Sequence, residues 1–292
     1  MTLFLQLLAN GLVNGVMFAV LAVGFGLVYR SIRVFHMAYG AVFVLAAVGY
    51  HSLVTIAGFG WWGGGVLAVV LSALFGWAIE AGFYHPFYRK GTAPGAIMVA
   101  SLGLGIVIEN GLALIYGNEV LAIPRGLAQP VMFGSVRLTT IQVAQFVICS
   151  LVLGSLGLAN RFRCFRVLRA MGENSELLQV HGWRLGRYRA LVFAISGALA
   201  AVPACLVMVD VGMDVHAGLS YLLVGAVAVL VGGVFRTEGW VLGGVVLAML
   251  QSLVVWKFSA RWMNLVAFML LIAVLMFRRE GFLSIRKRTE ES

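Results

Sequence analysis

The sequence predicts an all-α, polytopic membrane protein: a bundle of about nine transmembrane helices, with eight to ten allowed by where the runs are cut. Three observations predict it. Of 292 residues, 62% are hydrophobic and only 11% charged, whereas a soluble domain carries roughly 25% charged residues. The apolar residues fall into runs of about 17 to 27, the length an α-helix needs to cross the hydrocarbon core. The 36 glycines suit helices whose backbones approach closely. A membrane β-barrel would instead show alternating segments of about ten residues.

Taken in order, the runs are 3–29, 40–58, 62–84, 96–116, 140–159, 190–209, 219–235, 239–257 and 262–277. The first basic residue is Arg30, so the positive n-region of a cleavable signal peptide is missing and the first run is expected to stay as a span. Asn10 and Asn14 alternate there with Gly11 and Gly15. Such a small polar face suits helix packing, and Asn14 is also a candidate for a translocation path. Glu80 closes the third run and is expected to pair with Arg89 or Lys90 at the interface. Glu109 and Asn110 fall near the middle of the fourth, where an acid is costly and faces protein or a water-filled path. Both readings stay open: a residue of the path, or an interhelical hydrogen bond. Pro203 is expected to kink the sixth helix. The runs 219–235 and 239–257 are short and separated by RTE, so they form two spans or a re-entrant pair buried in protein.

Lys and Arg set the orientation. Seventeen of the 21 basic residues fall in the odd-numbered connections and the C-terminal tail, and four on the other side. The N-terminus is therefore expected outside and the C-terminus in the cytoplasm. The net charge of +10 then reflects this bias and contact with anionic lipid, not a nucleic-acid face.

A single membrane domain of residues 1–292 is expected to carry two cytoplasmic appendages, the loop 160–189 and the basic tail 278–292. Seven arginines fall in the loop. Its first part, NRFRCFRVLRA, sets Phe162 and Phe165 among arginines and reads as an anchor at the membrane edge. In GENSELLQVHG that follows, Asn174 or Ser175 is a fair N-cap, Glu176 falls in the first turn and Gly182 is a natural stop. Leu177, Leu178 and His181 share one face by i, i+3 and i+4 spacing. A helix this short needs a surface to dock on: either this chain's own helices or a cytoplasmic partner.

The passage RAMGENSELLQVHGWRLGRYRALVFAISGALAA resembles the cytoplasmic loop and following span of permease subunits from bacterial ABC importers of the branched-chain amino acid class. NGLVNGVMFAVLAVGFGLVYRSIRVFHMAYGAVFVLAAVGY near the start is similar to the same family, as are AIEAGFYHPFYRKGTAPGAIMVASLGLGIVIENGLALIYGNEVLAIP and AVAVLVGGVFRTEGWVLGGVVLAML. Four departures stand out. The family's Asn-Phe-Ala-His-Gly is here His36, Met37, Ala38, Tyr39 and Gly40, and Ala81 stands where the family has arginine. Glu109 and Asn110 replace a frequent Gln-Asn, and Arg236, Thr237, Glu238 and Gly239 replace a Gly-Ser-Pro-Gly turn.

The resemblance implies a multi-pass protein of the bacterial inner (cytoplasmic) membrane that moves branched-chain or related amino acids by alternating access. It implies as partners cytoplasmic ATPase subunits, a second permease subunit and a periplasmic substrate-binding protein. The ATPase-docking residues would be Glu173, Asn174, Glu176, Leu177, Leu178, His181 and Gly182, and the path residues Glu109, Asn110 and Asn14. Urea or a short amide is the alternative substrate class, and an ATP-independent secondary transporter the alternative mechanism.

Other classes are poorly served by these residues. None of Lys90, Lys257 and Lys287 sits in a Gly-x4-Gly-Lys-Ser/Thr loop, so ATP hydrolysis is expected in a separate subunit and no cofactor in this one. Five widely spaced histidines show no metal-ligand pairing. Cys149 and Cys205 read as small buried hydrophobes, and Cys164, among arginines, has no catalytic partner nearby. A secondary transporter would show a relay of charges across several spans, and only Glu109 is deep. Asp210, Asp214 and His216, outside the sixth span, read as solvated or as seats for a binding protein.

Overall fold

The computed structural model describes residues 2–124, 130–133, 136–159, 163–173, 178, 183, 185–234 and 236–277. Among them are eleven α-helices: α1 (Thr2–Ile32), α2 (Tyr39–Thr55), α3 (Trp61–Ile79), α4 (His85–Arg89), α5 (Pro94–Tyr116), α6 (Thr140–Ala159), α7 (Arg163–Glu173), α8 (Leu185–Asp210), α9 (Gly218–Gly232), α10 (Thr237–Lys257) and α11 (Met263–Phe277). Six stretches are long and apolar enough to cross a membrane: Phe4–Ile32, Trp61–Arg89, Pro94–Tyr116, Thr140–Ala159, Leu185–Asp210 and Thr237–Lys257. Tyr39–Thr55 and Gly218–Gly232 are shorter apolar helices. At 15 residues, α9 is about 22 Å long, short of a hydrocarbon core about 30 Å thick.

The middle of α1 is the axis of the bundle. From Val16 to Val23 every residue is buried, and α1 packs against α10, α8, α9 and α6. Small residues make this possible. A Cβ built on Gly26 would lie 2.7 Å from Trp240 Cδ2, and one on Gly11 would lie 2.6 Å from Ser252 Oγ. These two contacts and Phe4 against Trp256 put α10 antiparallel to α1. Trp240, the largest fully buried side chain, is held by its indole N–H donating to the Gly233 carbonyl at 3.0 Å.

A second close pair is α3 on α8. Gly76 meets the Phe193 carbonyl, Gly197 meets the Ser72 carbonyl, and the buried Ser72 hydroxyl donates back to Gly197 O at 2.8 Å. Pro203 lies inside α8, which continues as one helix to Asp210. Cys149 and Cys205 are free and buried, as small apolar residues would be.

Three features were absent from the sequence reading. The third apolar run is interrupted by a π-helical turn, Glu80–Tyr84, before α4. A two-stranded antiparallel hairpin, β1 (Pro130–Phe133) with β2 (Val136–Thr139), pairs Pro130 with Thr139 and adds a small β element to the expected all-α fold. Gln6 of α1 fastens it: the amide donates to Arg137 O at 2.6 Å and accepts from Arg137 N–H at 2.8 Å. Finally, the arginine-rich start of the 160–189 loop is the 11-residue helix α7. It lies against the end of α1, with Leu168 and Met171 buried and Arg33 donating to Gly172 O at 3.1 Å.

The close pairs set a stability test. Gly76→Ala forces a methyl into the Phe193 backbone and should cost about 1–3 kcal/mol, read as a clear fall in the melting temperature of the purified protein. Gly103→Ala meets open space and should leave that temperature within error.

Candidate functional site

The chain leaves α1 through Arg33, whose φ of +51° is the left-handed conformation a non-glycine rarely adopts. The next residues fold inward. His36 is 3% exposed, and its Nδ1 lies 2.6 Å from the Tyr84 hydroxyl of the π-helical turn, with the rings of Tyr39 and Phe193 around it. Met37 N–H donates to Ser101 Oγ at 3.1 Å, and the Tyr39 hydroxyl donates to Leu21 O at 3.0 Å. These bonds fix where α2 begins.

That beginning meets two other elements. Gly40 lies against the Gly218 carbonyl at the start of α9, and Glu109 of α5 brings its carboxyl oxygen Oε1 against Gly218 itself. No side chain fits at Gly218, because a Cβ there would lie 2.9 Å from the Gly40 backbone carbonyl as well as against Glu109 Oε1. The starts of two short helices and one mid-helix acid therefore share one spot. The first N–H groups of an α-helix have no partner within it and carry partial positive charge, so a carboxylate is well placed there.

Glu109 is half-buried, and a polar ladder rises from it toward the end of α5. Asp214 and His216 are within electrostatic reach of its carboxyl. His216 N–H donates to Asp214 Oδ1 at 3.0 Å, and His216 Nε2 lies 3.2 Å from Asn118 Oδ1. Leu121 and Met213 bridge the two connections by reciprocal backbone bonds of 2.9 and 2.8 Å. So Asp214 and His216 belong to a folded wall of this spot.

The other expected path residues lie apart from it. Asn110 is exposed, its amide donating to Ile106 O at 2.8 Å. Asn14 is half-buried on α1 beside Gly15, which meets Val245 of α10, whereas α5 packs on α2. Asn10 is taken up by Gln6, whose amide donates to Asn10 Oδ1 at 3.3 Å. Glu80 departs from the expected interface pair. It is 2% exposed, Arg189 is within electrostatic reach of its carboxyl, and its Oε1 has no hydrogen-bond partner among the described residues.

Of the expected docking residues, Glu173 ends α7, and Leu178 packs against the hydrophobic core while its carbonyl accepts from Trp183 N–H at 3.1 Å. Asn174, Glu176, Leu177, His181 and Gly182 lie outside the described residues. Among the described residues no group of three or more His, Cys, Asp or Glu could hold a metal ion. Sequence reasoning missed His36, Tyr84 and Gly218. The only early signal was that FHMAYG departs from its family pattern.

Comparison with known proteins adds three findings. Residues 7–275 match the family described as "Branched-chain amino acid transport system / permease component". The chain is 30% identical to the high-affinity branched-chain amino acid transport system permease protein BraD of Pseudomonas aeruginosa, over 96% of this chain and 95% of that one. It is 28% identical to LivH of Escherichia coli K12, a permease protein of the same description, over 96% and 95%. Its fold is similar to that of PsaBC from Streptococcus pneumoniae in complex with Fab, with a TM-score of 0.50 at 15% identity, covering 93% of this chain and 91% of that one.

Tyr84→Phe tests the hinge before α2. It leaves the buried His36 nitrogen without its partner, so stability should fall by about 1–3 kcal/mol, visible as a lower melting temperature. An unchanged temperature would mean the 2.6 Å contact is not holding the turn.

Proposed function

This chain belongs to the permease-component family of branched-chain amino acid transport systems, and we propose that it forms, with a second permease subunit, the path by which an ATP-driven importer carries branched-chain or related amino acids inward. It is a permease subunit of an ABC transporter, multi-pass and not itself an enzyme. Nine crossings, with the N-terminus outside and the C-terminus in the cytoplasm of a bacterial inner membrane, agree with the distribution of Lys and Arg. The α9 and α10 pair then supplies two of the nine, α9 being short because its start is buried at Gly40.

The observation that carries the mechanism is the join between α7 and α1. Gly172 is wedged against Arg30 and bonded to Arg33, so the cytoplasmic loop grips the end of the most buried helix. Of two ATPase subunits, the one docking on this chain at Glu173, Asn174, Glu176, Leu177, Leu178, His181 and Gly182 would move this loop, with Leu178 also packing on the bundle. The motion passes along α1 to the starts of α2 and α9, where Glu109 stands. A periplasmic binding protein would deliver substrate to the side bearing Asn118, Asp214 and His216. Alternating access of this kind is rigid-body rocking between two packings.

Two variants test the reading in vesicles reconstituted with the partner subunits. Glu109→Gln should lower ATP-dependent uptake of labelled leucine at least tenfold while the complex assembles normally, the scale of one buried charged interaction. Glu176→Lys should abolish ATPase binding, measured by co-purification, without lowering the melting temperature. Full uptake in the first variant would remove Glu109 from the path; full binding in the second would remove the docking assignment.

A further inference from the structure

A short seam closes the side of the bundle that bears Asp214 and His216. Its first edge is the chain that leaves α5. Gly117, at a φ of +83° that favours glycine, turns the chain out of the helix, and residues 117–123 run on as a strap outside any helix. The second edge is the connection from α8 to α9, which turns at Gly212 with a φ of +77°. Leu121 and Met213 exchange both of their backbone hydrogen bonds across the seam, at 2.9 and 2.8 Å, and His216 Nε2 lies 3.2 Å from Asn118 Oδ1. The edges fit closely, since a Cβ on Gly212 would lie 2.6 Å from Leu121 O. Met213 is 3% exposed.

The place of the seam in the chain gives it a use. The strap follows directly on α5, the helix that carries Glu109, and the connection leads directly into α9 at Gly218. The two edges are therefore extensions of the two elements that meet where Glu109 lies against Gly218. That meeting cannot part at its outer end while the seam is shut. Yet the seam is light. Helix α5 packs chiefly on α2, and the contacts across the seam are a pair of backbone hydrogen bonds and an exposed side-chain contact. Local opening is drawn from regions of this kind, where apolar contacts are few and hydrogen bonds lie near solvent. We propose that residues 117–123 are a strap that latches the outer side of the path, with the Leu121–Met213 bridge as the latch, and that substrate reaches Glu109 only after the bridge has opened. This rests on the reading of the chain as a transport path.

The test uses the complete complex, reconstituted with its partner subunits, in a Cys164→Ser background that leaves only the buried Cys149 and Cys205. Met213→Cys alone reports opening. Its labelling by a water-soluble maleimide should differ about tenfold between the nucleotide-free and ATP-trapped states, a change in open fraction on the scale of one or two hydrogen bonds. Leu121→Cys together with Met213→Cys locks the latch. Residues opposite one another in a hydrogen-bonded antiparallel pair lie about 5.5 Å apart at Cα, within the reach of a disulfide. Oxidation should therefore join them and lower uptake of labelled leucine by about tenfold or more, with recovery on reduction. Equal labelling in the two states would overturn the strap, as would full uptake with the disulfide in place or a pair that never oxidises. If the reduced pair does not transport, the labelling result decides alone. A wild-type complex that takes up no leucine, while labelling still follows nucleotide, would instead defeat the transport reading and leave the moving seam standing.

Discussion

The structure depends on how closely other backbones approach α1. In a membrane, burying apolar side chains between helices gains little over leaving them in lipid, so van der Waals contact between backbones and a few interhelical hydrogen bonds hold the bundle. Gly11, Gly15, Gly24 and Gly26 lie along α1, each where a side chain would strike a neighbouring helix or ring. They let α10 and the Tyr39 and Trp240 rings close on α1. The same device recurs where α3 meets α8 and where α9 meets α10. Helix α5 uses the device on one face only: Gly105 meets Ala38, whereas Gly103 and Gly111 face open space and Leu114 is 89% exposed.

This packing explains why two helices are short. Helix α2 cannot start earlier in the chain because residues 33–38 are folded into the bundle, with Val34, His36 and Ala38 buried. Helix α9 starts inside because Gly218 is pressed between Gly40 and Glu109. Irregular backbone at membrane depth survives only where protein satisfies its polar groups. Ser101 does so here, its hydroxyl accepting from Met37 N–H at 3.1 Å and lying 3.4 Å from Phe35 O. The interrupted backbone and the mid-helix acid are thus parts of one arrangement, and the acid faces the place where two helix starts converge.

The positions of the long helices were legible because a transmembrane helix declares itself by the length of its apolar run, which needs no knowledge of its neighbours. Pro203 was legible as a proline inside a long helix, and α8 runs through it from Leu185 to Asp210. The hairpin at 130–139 was hidden because its strands are four residues each and are pinned by Gln6, more than 120 positions away. Glu109 was legible as a deep acid, but not its meeting with Gly218, which depends on how α5, α2 and α9 converge. Glu80 looked like an interface residue from its place near Arg89, but it opens the π-helical turn and is buried.

The central claim is the proposal that movement of α7 reaches the junction of α5 and α9. Spin labels at Asn110 and Leu219, both exposed, would report the distance across it in the complete complex, by pulsed electron resonance with and without trapped ATP. The account predicts two distance distributions, exchanged by nucleotide, with the change lost when Arg33→Ala and Gly172→Leu loosen α7 from α1. One unchanged distribution in a complex that still transports would contradict it.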